Sequence, residues 1–389
     1  MTTPSLLLAV PLLGAAAAAP ASPLPAPAAA AAPATEAKPE APRVELGGLV
    51  QVWWAGQQQS VEGDRDPTPS YFRVRRAELR ARGEVVPGVA SFGVMIDPAR
   101  VVDSDPERVT MPDGTESTSR HSTLRTASVL QDAFVTFISP WVDVTAGQFK
   151  IPISWEGTQS SSKLLLPERA SSSTTFGDRR DLGVKLTKCV VDREGSGCAA
   201  SYWLALHSGE RQGTSEELAG SARKDVALRL EGSPLPWLLV GAAALASVGE
   251  RDAAGARDRA ELDLRVTPGD AVLQTEWIEA RDRVTSGGTT VWRRGRGFYV
   301  AAGYTLGGKV QPVVRVGRVD PDVDSDAPDA AGYGTGARAS QQEAAWTAEL
   351  GGSWLVRGDT AKLQLVAGRV VHAHAPARSQ VIVAGQVAF

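Results

Sequence analysis

Beyond residue 22 the 389-residue chain has no apolar run long enough to cross a bilayer as a helix. Hydrophobic residues still make up 43% of it. Apolar side chains that alternate with polar ones would escape any hydropathy window. Basic charge is not in excess: 41 Lys and Arg stand against 44 Asp and Glu, for a net charge of −3. The footprint of a nucleic-acid binder is therefore missing. Histidine occurs four times and cysteine twice. No Gly-x-Ser-x-Gly elbow is present, and nothing in the chain assembles a nucleophile with a base, so no catalytic residue is assigned. His372 and His374 lack a third ligand, and neither a metal nor a cofactor is expected.

The N-terminus differs in kind. "LLLAVPLLGAAAAAPAS" has an apolar stretch and then small residues, as an export signal does. No Lys or Arg precedes Leu6, which implies either a start further upstream or an unusual signal. Residues 1–22 are assigned to a signal peptide, with cleavage between Ala19 and Ser22. Residues 23–43 follow as an Ala/Pro-rich periplasmic spacer that cannot bury a core. In an exported chain the close pair Cys189 and Cys198 suggests a disulfide, two free thiols being the alternative.

From residue 44 onward the pattern has period two. In "ARDRAELDLRV", Ala260, Leu262, Leu264 and Val266 alternate with Arg259, Glu261, Asp263 and Arg265. The charged face needs water, and the apolar face needs lipid or a core. In "WTAELGGSWLV" one face carries Trp346, Ala348, Leu350, Gly352, Trp354 and Val356, with an aromatic near each end. Phe298 and Tyr304 flank Val300 and Ala302 in the same way. A sandwich core gives no reason for paired aromatics, whereas a membrane barrel carries an aromatic girdle at each interface. The last strand, "QVIVAGQVAF", alternates up to Phe389. It resembles the closing strand of bacterial outer-membrane barrels, in which a terminal aromatic is read by the assembly machinery. Phe389 is the expected assembly signal, and this strand should close against "VELGGLVQVWW".

Short turns such as "VVPG", "TPGD" and "RGDT" alternate with longer polar segments near 56–70, 98–127, 151–179, 209–222, 248–257, 282–291, 320–342 and 372–378. That alternation is the one expected of periplasmic turns and external loops. The fold expected is an all-β, transmembrane antiparallel barrel of about 16 strands over residues 44–389.

More specific residues lie in the first half: Arg73, Arg75, Arg76 and Ala77, then "GQFK" at Gly147 to Lys150 with Pro152 and Glu156, then Glu168–Arg169 and "RDLGV" from Arg180. These stretches resemble the phosphate-selective porin O and P family. The resemblance implies a homotrimeric barrel in the bacterial outer membrane, with an anion-preferring pore narrowed by a third external loop folded inward, here 151–179. It implies small anionic solutes, outer-membrane lipid and the barrel-assembly machinery as partners.

Alternation turns Arg73 and Arg75 toward the lumen. The phase then slips by one, so that Glu78, Arg80 and Arg82 become the polar set, as a β-bulge at Arg75–Arg76 would produce. Lys185, Arg229, Arg259, Arg265 and Arg315 join the lumen, against Glu45, Asp97, Asp132, Glu231, Glu261, Asp263, Glu276 and Glu349. The early strands carry most of the arginine and the later ones most of the acid, which sets a field across the pore. Lys163, Arg169, Arg179 and Arg180 lie in or beside the third loop and are the candidate anion filter, since a guanidinium grips oxyanions bidentately. The alternative for each is an ordinary solvated or paired charge. The aspartates of "DPDVDSD" depart from a calcium loop at its sixth and twelfth positions, Ser325 and Ala331, and read as an acidic outer loop. "GYGTG" reads as a loop. The expected function is passive diffusion of small hydrophilic solutes with an anion preference for phosphate-type oxyanions. The alternatives are a plugged structural barrel of the envelope and an outer-membrane barrel lipase.

Overall fold

The computed structural model describes residues 42–59, 70–110, 116–124, 129–193, 197–209, 222–252, 255–286, 289–324, 343–373 and 377–389. For 58, 59, 102–110, 116–124 and 286 it describes the backbone alone. The signal peptide and nearly all of the spacer lie outside these residues, as do Asp326, His374 and the "GYGTG" segment.

The chain enters the sheet at β1 (Arg43–Gln59), β2 (Ser70–Val86) and β3 (Ala90–Ile96). A separate hairpin follows, β4 (Val102–Thr110) with β5 (Glu116–Leu124). Then come β6 (Leu130–Phe137), β7 (Asp143–Lys150), β8 (Arg180–Arg193), β9 (Gly197–His207) and β10 (Asp225–Leu235). The later strands are β11 (Leu238–Ser247), β12 (Arg257–Val266), β13 (Ala271–Ser286) and β14 (Thr289–Tyr304). The last four are β15 (Val310–Asp320), β16 (Ala345–Arg357), β17 (Ala361–His372) and β18 (Arg378–Ala388). All but the β4–β5 pair form one closed antiparallel barrel of sixteen strands. Closure removes every sheet edge, so each strand finds hydrogen-bond partners on both sides.

The barrel is turned inside out relative to a soluble fold. Leu262, Leu350 and Leu365 point outward, at 63%, 67% and 57% exposed. Glu261 and Asp263, on either side of Leu262, and Arg229 of β10 are 2%, 5% and 1% exposed. A sandwich would bury the opposite faces. Only lipid makes this arrangement favourable, because it takes the apolar band as its solvent.

The seam lies where the alternation put it. β1 pairs with β18 from Leu49↔Ala388 to Gln59↔Arg378. Phe389 and Gly48 then exchange both backbone bonds, at 2.8 and 3.1 Å. The bulge is also present: Gln51 pairs with Arg76 and Val52 with Val74, leaving Arg75 extra. Cys189 and Cys198 are joined by a disulfide with their Cα atoms 5.7 Å apart, beside the β8–β9 turn.

Three expected loops are smaller than the composition suggested. β1 continues to Gln59, and the 98–127 segment contains the β4–β5 hairpin. The segment near 282–291 is mostly strand, since β13 and β14 stay paired up to Ser286↔Thr289. Arg, Thr and Ser side chains pair across an exposed hairpin as readily as they line a loop, so polar composition alone could not separate the two.

Candidate functional site

Segment 151–179, between β7 and β8, carries the site. It contains a short helix α1 (Trp155–Thr158), a 3₁₀ turn (Ser161–Lys163) and a second helix α2 (Ser171–Phe176). Ser154 caps α1, its hydroxyl accepting from the Gly157 N–H at 2.9 Å. At the root, Gly147 has φ +128°, and a Cβ there would sit 2.2 Å from the carbonyl oxygen of Ala133. Only glycine fits this position, which lies in the "GQFK" stretch just before the segment.

The segment is fixed to water-facing side chains around most of the barrel. On β18, Gln386 donates to Ser162 O at 3.0 Å. On β17, Lys362 donates to Leu164 O at 2.8 Å and Gln364 to Leu165 O at 3.2 Å. On β15, Arg315 donates to Glu168 O at 2.9 Å and lies 3.4 Å from the Glu156 carboxylate. On β10, Arg229 reaches Ile153 O at 3.4 Å. A segment that meets lumen-facing groups of β2, β10, β13, β15, β17 and β18 lies inside the barrel.

Two carboxylates make the strongest attachments. Glu276 of β13 accepts from the Ser154 hydroxyl at 2.9 and 3.0 Å, from Ser173 at 2.8 Å and from the Glu156 N–H at 3.1 Å. Glu168 of the segment is held by the bulge: Arg75 donates to it at 2.6 and 3.1 Å, and Arg76 at 2.5 Å. Burial alone would raise the Glu168 carboxyl. Arg76 and Arg75 outweigh it and hold the carboxyl at about 2. The bulge has a function here, since regular alternation would have turned one of these two arginines toward lipid.

Each candidate filter residue can now be placed. Lys163 is exposed on the segment. Arg169 is buried and committed to the segment itself, 3.3 Å from Asp178 and donating to Glu156 O and Gln159 O at 3.1 and 2.8 Å. It braces the loop. Arg179 is half-buried and donates to Thr175 O at 3.3 Å. Arg180 opens β8 and donates to Asp132 at 2.7 Å. Of the lumen charges, Arg73 and Arg82 face inward and are exposed; Arg80 pairs with Glu78 and reaches Ser160 at 3.2 Å. Lys185 lies 4.9 Å from the centre of the Phe149 ring.

Sequence reasoning missed Arg76, Arg100 and Lys150. Arg76 was left at the pivot of the phase slip, although a bulge turns both its residues to one face. Arg100, on the 3₁₀ turn after β3, lies 3.2 Å from Asp97. Lys150 donates to Gly157 O and Gln159 O, both at 2.7 Å. Burial again pushes the Asp178 carboxyl up, yet it sits below the usual carboxylate range because Arg169, Lys150, Arg180 and Arg100 surround it.

Two unlike walls result. On the side of β2, β3 and β6–β8, Arg75, Arg76, Arg80, Arg100, Lys150, Arg169, Arg180 and Lys185 act on Glu78, Asp97, Asp132, Glu168 and Asp178. Across the lumen, Glu156, Glu231, Glu261, Asp263, Glu276 and Glu349 gather around Arg229 and Arg315. The basic wall is in excess on one flank and the acidic wall on the other.

Residues 44–228 match the family model of the phosphate-selective porin O and P family. Over that stretch the chain is similar to the porins of this family. No curated protein sequence matches it. Solved structures share its fold at low identity. The outer-membrane channel DcaP of Acinetobacter baumannii is 12% identical, with a TM-score of 0.58 over 90% of this chain and 98% of that one. An anion-selective porin from Comamonas acidovorans is 13% identical, at 0.53 over 90% and 100%. The trimer form of OmpT from Vibrio cholerae is 11% identical, at 0.54 over 90% and 100%. The porin is a bacterial outer-membrane channel, with the start of β1, Phe389 and the short turns at one end of the barrel.

Proposed function

We propose that the porin passes small anions in preference to cations, phosphate-type oxyanions among them, without holding them tightly. The observation that carries this reading is the excess of cations over carboxylates, eight to five, among the interacting groups named above on the flank of the inward segment. Fixed charges act strongly in a narrow, poorly hydrated zone and are screened beyond about 8–10 Å, so local sign outweighs the net charge of the chain. The filter on this reading is the basic wall as a whole, with Lys163 and Arg179 at its margin and Arg169 as its brace. The anion-selective porin from Comamonas acidovorans supports an anion preference on this fold, and the trimer form of Vibrio OmpT supports a homotrimer. The signal peptide over 1–22, the spacer over 23–43 and recognition of Phe389 by the assembly machinery belong to the same reading.

A channel is favoured over a barrel lipase. His207 faces Asp181 through Nδ1 at 2.8 Å, and its Nε2 has no hydrogen-bond partner, so it is not poised on a serine among the described residues. The test is reversal potential in a salt gradient across a planar bilayer. Wild type should prefer chloride to potassium. Replacing Arg180 and Lys185 by Gln leaves Asp132 without two of its cations and should shift the preference toward cations. Cation preference in the wild type, or no shift in the double variant, removes the basic wall as the filter. Absence of any conductance would favour the plugged barrel.

A further inference from the structure

We propose that the membrane-facing side of β13–β16 binds the phosphate-bearing headgroup of an outer-leaflet lipid. Three aromatic side chains meet on this face: Trp277 and Phe298 stack at 5.5 Å, and Trp346 meets Phe298 edge-on at 5.7 Å. Trp277 and Trp346 are 41% and 47% exposed and mark the upper limit of the apolar band. Directly above them the outward positions turn to arginine. The Arg296 guanidinium lies 5.3 Å from the Trp277 ring centre, and that of Arg318 lies 5.7 Å from Trp346. One step higher, Trp292 has Arg281 at 5.6 Å, Arg283 at 5.7 Å and Arg251 at 5.3 Å.

The height fits a headgroup. Arg296 is two residues beyond Phe298, roughly 7 Å along the strand and about 5 Å in height for a tilted strand. Arg281, four residues beyond Trp277, stands about 10 Å above it on the same reckoning. The headgroup layer begins at the edge of the hydrocarbon and is several ångströms deep. The charge fits as well. Arg281, Arg283, Arg294, Arg296 and Arg318 share this face with Glu279, Asp320 and Asp324, which pair with Arg296, Arg318 and Arg294 at 2.6, 2.9 and 2.5 Å. Arg283 has Asp252 of the neighbouring loop at 3.7 Å. Arg281 has no carboxylate partner among the described residues and is exposed. A guanidinium laid on an indole keeps its outward N–H fork free for a phosphate, while the ring sits in the acyl boundary. The ion pairs orient the neighbouring guanidiniums in advance, which lowers the ordering cost of binding.

The inference rests on the outer-membrane reading but not on anion selectivity. The test is native mass spectrometry of the full chain in detergent, titrated with bis-phosphorylated lipid A and with its dephosphorylated form. One basic side chain at an anionic lipid surface is worth roughly five-fold in affinity, so Arg281→Ser with Arg296→Ser and Arg318→Ser should weaken lipid A binding on the order of a hundred-fold. Wild type should bind the dephosphorylated lipid as poorly as the triple variant binds lipid A. Conductance and selectivity of the triple variant should be unchanged. Should the triple variant fail to fold, Arg281→Ser alone should lose about five-fold. Unchanged affinity in a folded variant, or equal binding of both lipids by wild type, overturns the proposal. So does a change in oligomer size, which would mark this face as a contact between protomers.

Discussion

The phenyl ring of Phe389 occupies the space above Gly48: a Cβ built on Gly48 would lie 2.6 Å from the ring's Cζ and 2.7 Å from the carbonyl oxygen of Glu78. Phe389 is 69% exposed, at the end of the seam where β1 begins. Gly48 and Phe389 therefore fit as a pair, a small residue on β1 receiving a large one beyond β18.

Gly48→Val should disturb the seam more than Phe389→Ala. The valine meets backbone and cannot relax by a rotamer change, and overpacking of that kind costs about 1–3 kcal/mol. Phe389→Ala removes only the ring. The readout is the temperature at which the folded band disappears on an unboiled gel. Equal shifts for the two variants would contradict the pairing.

Acid should release the inward segment at its Glu168 end. The Glu168 carboxyl is held at about 2 against an ordinary 4.5. A depressed carboxyl adds to docking above its undocked value, and the contribution fades as pH falls from about 4.5 through about 2. Single-channel current noise should rise over that window in wild type. Glu168→Gln should be noisy already at pH 7 and gain nothing from this source on acidification.

Glu276→Ala should loosen the other end, because the Ser154 and Ser173 hydroxyls and the Glu156 N–H lose their common acceptor. Unsatisfied buried donors cost about 1–3 kcal/mol each, enough to populate an undocked segment. Conductance should rise and selectivity should fall. Val272→Ala on the same strand makes none of these bonds and serves as the control. If Glu276→Ala leaves single-channel conductance at the wild-type value, the clamp is not what sets the aperture.

Removing the disulfide should leave the pore intact. β8 and β9 already pair from Gly183↔His207 to Arg193↔Gly197, so Cys189–Cys198 ties a turn that the sheet has closed. Cys189→Ser with Cys198→Ser should lower thermal stability by roughly 2–3 kcal/mol at most and leave conductance unchanged. Non-reduced peptide mapping of wild type should show the cross-link. A loss of conductance in the double variant would give the bridge a larger role.

Much of the barrel was legible because strand side chains have period two and the solvent inverts. Arg259, Glu261, Asp263 and Arg265 could be assigned to water without coordinates, since four charges on one face admit no other solvent. The bulge at Arg75–Arg76 was legible for the same reason, as a one-residue slip in phase. The loops were less so. In the hairpin extension of β13–β14 both faces carry polar residues, broken only by the Val284↔Val291 pair and Trp292, so alternation carries little information there.

The sequence by itself determined the membrane-facing surface, the seam, a strand count of about sixteen and most of the charges that share the lumen. These follow from local periodicity and from a barrel's need to leave no edge unpaired. Only the tertiary structure decided what each lumen charge does. Arg169, a filter candidate by its place in the loop, is held by Asp178 and two carbonyls of the segment itself. Arg76 looked like a pivot and is half of the clamp on Glu168. The clamp brings residues 92 positions apart to hydrogen-bond distance, and the brace depends on how the segment folds back on itself. Strand order and the path of the inward segment set that distance, and no period in the sequence encodes it.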